Sequence, residues 1–93
     1  MERFRYKKSI KVSYMDQGYI FFLCRRYRRL PLEQRRRIDW LIRRTGEEHA
    51  AALREALTTD RSIGEICCKK QCLSVSTLER AVRRFYEAAA REL

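Results

Sequence analysis

Few residues in this chain have side chains that could do covalent or metal chemistry. Cys24, Cys67, Cys68 and Cys72 are its thiols, and His49 is the one imidazole among 93 residues. Three of the cysteines crowd into positions 67–72, but they lack the paired C-x-x-C spacing of a structural zinc site, and a fourth ligand would have to come from Cys24 or His49. Adjacent cysteines rarely bridge one another and no spaced disulfide framework is present, so small core residues in a reducing compartment are the simpler reading. His49 lies in an acidic, alanine-rich stretch and completes no catalytic triad. With three glycines in all there is no phosphate loop, and no pair of carboxylates marks a cleft. No catalytic residue, metal or cofactor is expected, and the chain reads as a non-enzyme.

What remains is the chemistry of arginine and lysine. The formal net charge is +10 and the pI about 10.0. A cation beside a phosphate releases condensed counterions, so such a balance points to a nucleic-acid partner. Residues 1–46 hold 14 Lys/Arg against 4 Asp/Glu, whereas residues 47–93 hold 8 against 8, so the grip on phosphate is expected from the first half. Arg25, Arg28 and Arg29, with Phe21 and Phe22 above them, and Arg36, Arg37, Arg43 and Arg44, grouped around Trp40, form the expected phosphate-tracking surface. A flat aromatic among guanidinium groups suits stacking on a base or lying along a sugar–phosphate backbone. The competing reading packs Trp40 against the N-terminal segment or a dimer partner.

These side chains need elements to hold them. At 45% apolar residues the chain can build one core and should fold as a single domain, 1–93, all-α, as a small bundle of about five helices. Residues 1–15 read as a basic extended arm, because Phe4, Tyr6, Ile10, Val12 and Tyr14 alternate with a period of two. Arginine-rich helices should fill 16–57: one from Gln17 to Arg29 with Asp16 as N-cap, one from Leu32 to Thr45 stopped by Gly46, and one from Glu47 to Leu57. Pro31 separates the first two. Two S-x-x-E capping boxes, Ser62 to Glu65 and Ser76 to Glu79, predict helices over 63–71 and 75–92. The longest apolar run, Tyr19–Cys24, is far too short to cross a membrane, so no membrane contact and a cytoplasmic location are expected.

In the segment 62–85, SIGEICCKKQCLSVSTLERAVRRF, Ile66 is an apolar anchor, Cys67 or Cys68 a small residue and 71–74 a turn. Leu78, Ala81, Val82, Phe85 and Ala89 recur at helical spacing. The segment resembles the helix-turn-helix of bacterial and phage transcription regulators, whose turn is followed by Leu-Ser-x-x-Thr-Leu, here Leu73 to Leu78. Cys72 stands where that pattern has glycine. The run LPLEQRRRI, 30–38, also looks like the start of sigma-factor region 4 and of related phage and mobile-element regulators. The resemblance implies a helix-turn-helix over 62–92 whose last helix enters the major groove. Ser76, Thr77, Arg80 and Arg83 would then read bases, while Lys69, Lys70 and Arg84 hold the backbone.

The sequence thus points to a DNA-binding protein that binds double-stranded DNA, a transcription regulator or accessory factor of a bacterium, phage or mobile element. Two-fold operators favour a homodimer. The alternatives are a protein-binding module that engages RNA polymerase or a host nuclease through acidic surface, motivated by the neutral C-terminal half and by Phe21, Phe22 and Trp40, or an RNA-binding protein using the arginine stripe.

Overall fold

The computed structural model describes residues 4–70 and 73–93. Five α-helices follow one another: α1 Tyr14–Arg25, α2 Leu32–Gly46, α3 Ala50–Thr58, α4 Ile63–Lys69 and α5 Val75–Glu92, with single 3-10 turns at Tyr27–Arg29 and Glu47–His49. Among the described residues there is no strand.

Helix α1 starts at Tyr14, three residues before the expected Gln17. The Ser13 Oγ accepts from the Asp16 amide at 3.2 Å, so Ser13, rather than Asp16, is the N-cap and Asp16 lies in the first turn beside the positive end of the helix dipole. The helix also ends early, at Arg25, and Tyr27–Arg29 tighten into a 3-10 turn before Pro31.

Gly46 was expected to stop α2, yet its backbone is still helical. A Cβ there would stand 3.0 Å from Leu53 Cδ2, so the glycine lets α3 approach closely. The positive φ falls instead on Glu47, at 50°. The two acids expected to open α3 occupy this corner, and α3 itself begins at Ala50.

Helices α2 and α5 pack against each other more extensively than any other pair. Phe85, Leu78, Ile38, Leu41, Ile42, Leu53, Ile66 and Ile20 are fully buried in a single cluster. The Cα radius of gyration, 12.4 Å, is that of a compact chain of this length, about 12 Å. The Ser62–Glu65 capping box forms as expected at α4. At α5 the expectation fails: Ser74, two residues ahead of Ser76, is the N-cap, its Oγ accepting from the Thr77 amide at 3.2 Å. The expected turn at 71–74 and the end of the 63–71 helix include Gln71 and Cys72, which lie outside the described residues.

Residues 4–13, before α1, are neither helix nor strand. Its chain bends at Lys7–Ile10, where the Ile10 amide donates to the Lys7 carbonyl at 3.2 Å, so the period-two pattern does not produce one continuous extended stretch. Gln17, buried on α1, holds it. Its Nε2 donates to the carbonyls of Lys7 (2.9 Å), Val12 (3.0 Å) and Ile10 (3.3 Å), and its Oε1 accepts from the Lys7 amide at 3.1 Å. Ile10 and Val12 insert into the core, and Phe4 packs on Tyr14, Phe21 and Phe22. An irregular segment has no ladder for its buried carbonyls, and one amide side chain takes that role.

Candidate nucleic-acid interface

One face of α5 is committed to the core through Leu78, Ala81, Val82, Phe85 and Ala89. Helical geometry turns Ser76, Arg80, Arg83, Glu87 and Arg91 the other way, and Ser76, Arg80 and Arg83 are exposed. Ser76 and both arginines line an open cleft of about 350 Å³ with Glu79, Ile63 and, from the N-terminal segment, Lys7, Ser9 and Ile10. The pinned segment therefore brings Lys7 alongside the first two turns of α5. Nothing in the period-two reading of residues 4–14 signalled this, because the placement depends on Gln17. Thr77 is half-buried, its hydroxyl 2.7 Å from Ser74 Oγ, so it belongs to the cap more than to the cleft.

Lys69 and Lys70 are exposed at the C-terminal end of α4. Arg84 is exposed but tethered, since its Nη2 donates to the Thr45 carbonyl at 3.1 Å and so satisfies one of the orphan carbonyls at the end of α2. This contact joins the exposed side of α5 to the end of α2 that carries Arg43 and Arg44.

Along α2, Arg36, Arg37, Trp40, Arg43 and Arg44 share the face opposite Ile38, Leu41 and Ile42. All five are exposed. Trp40 is 45% exposed, and the Arg44 guanidinium lies 5.1 Å from its ring centroid. The ring therefore belongs to an open arginine face and not to the core.

Arg25 departs from its expected role. Its side chain is only 15% exposed, its Nη1 donates to the carbonyls of Leu57 (2.7 Å) and Ala56 (3.3 Å), and it lies 3.9 Å from Asp60. It caps the negative end of α3 instead of presenting a charge to phosphate. Its guanidinium also sits 4.6 Å from the Phe21 ring centroid. Arg28 and Arg29 remain exposed, and with Arg25, Arg26 and Arg54 they line a concavity of about 400 Å³ that, among the described residues, has no carboxylate in its wall.

Sequence reading missed the polar junction behind this concavity. The Tyr27 hydroxyl donates to Asp39 Oδ1 at 2.6 Å, and Arg54 Nη1 reaches both Asp39 Oδ1 (2.7 Å) and the Tyr27 oxygen (2.9 Å), tying the 3-10 turn, α2 and α3 together. Burial works against the charge on Arg54, but its hydrogen bonds to Tyr27 and Asp39 outweigh that and hold its pKa above the ordinary value. Twelve residues separate Tyr27 from Asp39 and fifteen separate Asp39 from Arg54, so no helical spacing announces the group.

Cys24 is buried and desolvation pushes its thiol up to about 12, the neighbouring Arg25 offsetting this in part. It is a core residue and not a nucleophile. Cys67 is half-buried and Cys68 exposed, while Cys72 lies outside the described residues. His49 Nε2 is 3.6 Å from Glu48 Oε1. Among the described residues no three His, Cys, Asp or Glu side chains gather in a way that could hold a metal ion. No helix among them is long and apolar enough to cross a membrane.

No family model matches the chain, and no curated protein or solved structure matches it significantly.

Proposed function

We propose that this chain is a duplex-DNA-binding protein of the transcription-regulator type, in which α4 and α5 act as a helix-turn-helix. Helix α5 enters the major groove, Arg80 and Arg83 read base edges beside Ser76, and Lys7 holds an adjacent phosphate. The observation that carries this reading is the shared cleft: Lys7, Ser76, Arg80 and Arg83 converge on one open surface of a helix whose other face is locked in the core. The arginine face of α2 supplies further phosphate contacts, with Arg84 linking it to α5. Arg25 is left out, since its guanidinium is held against the end of α3.

The test is a salt titration with random duplex DNA, followed by selection of a preferred site. The logarithm of affinity should fall with the logarithm of salt by about 0.9 for each phosphate contacted. Arg80→Ala or Arg83→Ala should cost about 1–3 kcal/mol at the selected site, while binding to random duplex changes less. A flat salt dependence, or unchanged binding after Arg80→Glu with Arg83→Glu, would sink the proposal.

A second reading, RNA binding through α2, is favoured by the exposed Trp40 ring beside Arg44. Competition between duplex DNA and structured RNA, repeated with Trp40→Ala, separates the two.

A further inference from the structure

On the outer face of α1, where Phe4 packs against Tyr14 and Phe22, large apolar side chains stay exposed. Tyr14 is 62% exposed, Met15 76%, Tyr19 57% and Phe22 49%, and they border a groove of about 710 Å³ that continues to Leu30 and Pro31. Isolated exposed apolar residues need no explanation, but a contiguous aromatic surface around a concavity marks a binding site. Phe4 floors the groove over Gly18, its nearest ring carbon 3.5 Å from where a Cβ would be, an ordinary van der Waals distance. The groove shares no residue with the cleft of Lys7, Ser76, Arg80 and Arg83.

The charge at this groove is one-sided. Arg26 and Arg29 lie at the end where α1 passes into its 3-10 turn, and among the described residues no Asp or Glu is in the lining and neither arginine is in an ion pair. We propose that the groove docks an acidic amphipathic helix of a partner protein, with apolar side chains on Tyr14, Met15, Tyr19 and Phe22 and a carboxylate on Arg26 or Arg29. A second copy of this chain fits poorly, since each carries +10. Single-stranded nucleic acid fits less well too. Phe4 meets Tyr14 edge-on, and Phe21 meets Phe22 at 90°, so ring faces are partly spent on one another. Among the described residues the cations of its lining stand at one end, whereas a tracked backbone needs them along its path. The occupant is thus a helix laid into an apolar groove and oriented by charge, bound independently of DNA.

The probe is a fluorescent synthetic peptide with leucine at i, i+4, i+7 and i+11 and alanine and glutamate elsewhere, titrated against the full chain by anisotropy. Three controls accompany it: the same peptide with serine for leucine, oligothymidylate, and anionic phosphatidylserine vesicles. The leucine peptide should bind on the order of tenfold tighter than its serine twin of equal charge. Met15→Asp with Tyr19→Asp should weaken it by a similar factor, leaving the melting temperature and duplex binding unchanged, and Arg26→Glu should separately weaken it as much, leaving the melting temperature unchanged. Equal binding of the two peptides, or indifference to these variants, overturns the proposal. So does displacement of the leucine peptide by oligothymidylate or vesicles in wild type but not in the Met15→Asp, Tyr19→Asp chain, which would assign the groove to a different occupant.

Discussion

Replacing Gln17 by methionine keeps the length of the side chain and removes both of its polar ends. Four hydrogen bonds between 2.9 and 3.3 Å disappear, three of them to carbonyls of the N-terminal segment. Each is worth about 1 kcal/mol net, and a buried carbonyl left without a donor costs about 1–3 kcal/mol. The groups of Lys7 are near enough to solvent to regain water and the Ile10 carbonyl still accepts from the Val12 amide, so the loss falls mainly on the Val12 carbonyl. Gln17→Met should therefore destabilise the fold by about 2–3 kcal/mol, a large share of the roughly 5–14 kcal/mol expected for a chain of this size. In a thermal melt followed by circular dichroism, the midpoint should fall by roughly 10–20 °C. Hydrogen exchange at the amides of Ile10 and Val12, which donate within the segment, should accelerate well beyond that of α2. If DNA is bound as proposed, affinity for duplex should fall as well, because Lys7 leaves the cleft beside Arg80. A midpoint lowered by less than about 3 °C, with those amides still protected, would refute the view that one amide side chain anchors the segment.

The caps of α5 are distinguishable, since Ser74→Ala should lower stability by about 1 kcal/mol in urea melts while Ser76→Ala changes it by less than about 0.5 kcal/mol. Asp39→Ala removes the shared acceptor of Tyr27 and Arg54; because both ionic partners are partly exposed, the expected loss is about 1–2 kcal/mol, with Tyr27→Phe losing less. Burial raises the Cys24 thiol from its ordinary 9.0 to about 12, so its contribution to stability is intact below pH 9 and lost as pH rises towards 12. Urea midpoints should decline across that window, less steeply in Cys24→Ser, and in native protein Cys68 should react with a thiol reagent while Cys24 reacts only on unfolding.

The helical elements were readable because their apolar stripes recur at 3.6 residues and because Pro31 and the Ser62–Glu65 pair mark ends by backbone chemistry. Choosing between Ser74 and Ser76 was not open to the same logic. Both precede Leu78 with a polar residue three positions on, and only the point at which the backbone turns extended, at Ser74, decides between them. Asp16 and Ser13 present the same ambiguity at α1. The exposure of Arg80 and Arg83 follows from their place opposite the buried stripe of α5. Arg25, by contrast, looks in sequence like any other member of a basic run, and its capping role depends on where the end of α3 falls in space. Gln17 is harder still, because a lone polar residue in a helix gives no hint that irregular backbone will fold over it.

The capping role of Arg25 bears on what kind of cation this molecule tolerates at each position. Two successive carbonyls are met by one guanidinium nitrogen while the ring of Phe21 lies against the rest of the group. An ammonium on a flexible stem matches neither the flat stacking surface nor the fixed direction of that donor. Residue 25 is therefore constrained by shape, whereas along the open side of α2 what matters is sign. Two arginines that look interchangeable in a string of letters answer to different physics, one to the geometry of a helix end and the other to the long-range field outside the protein.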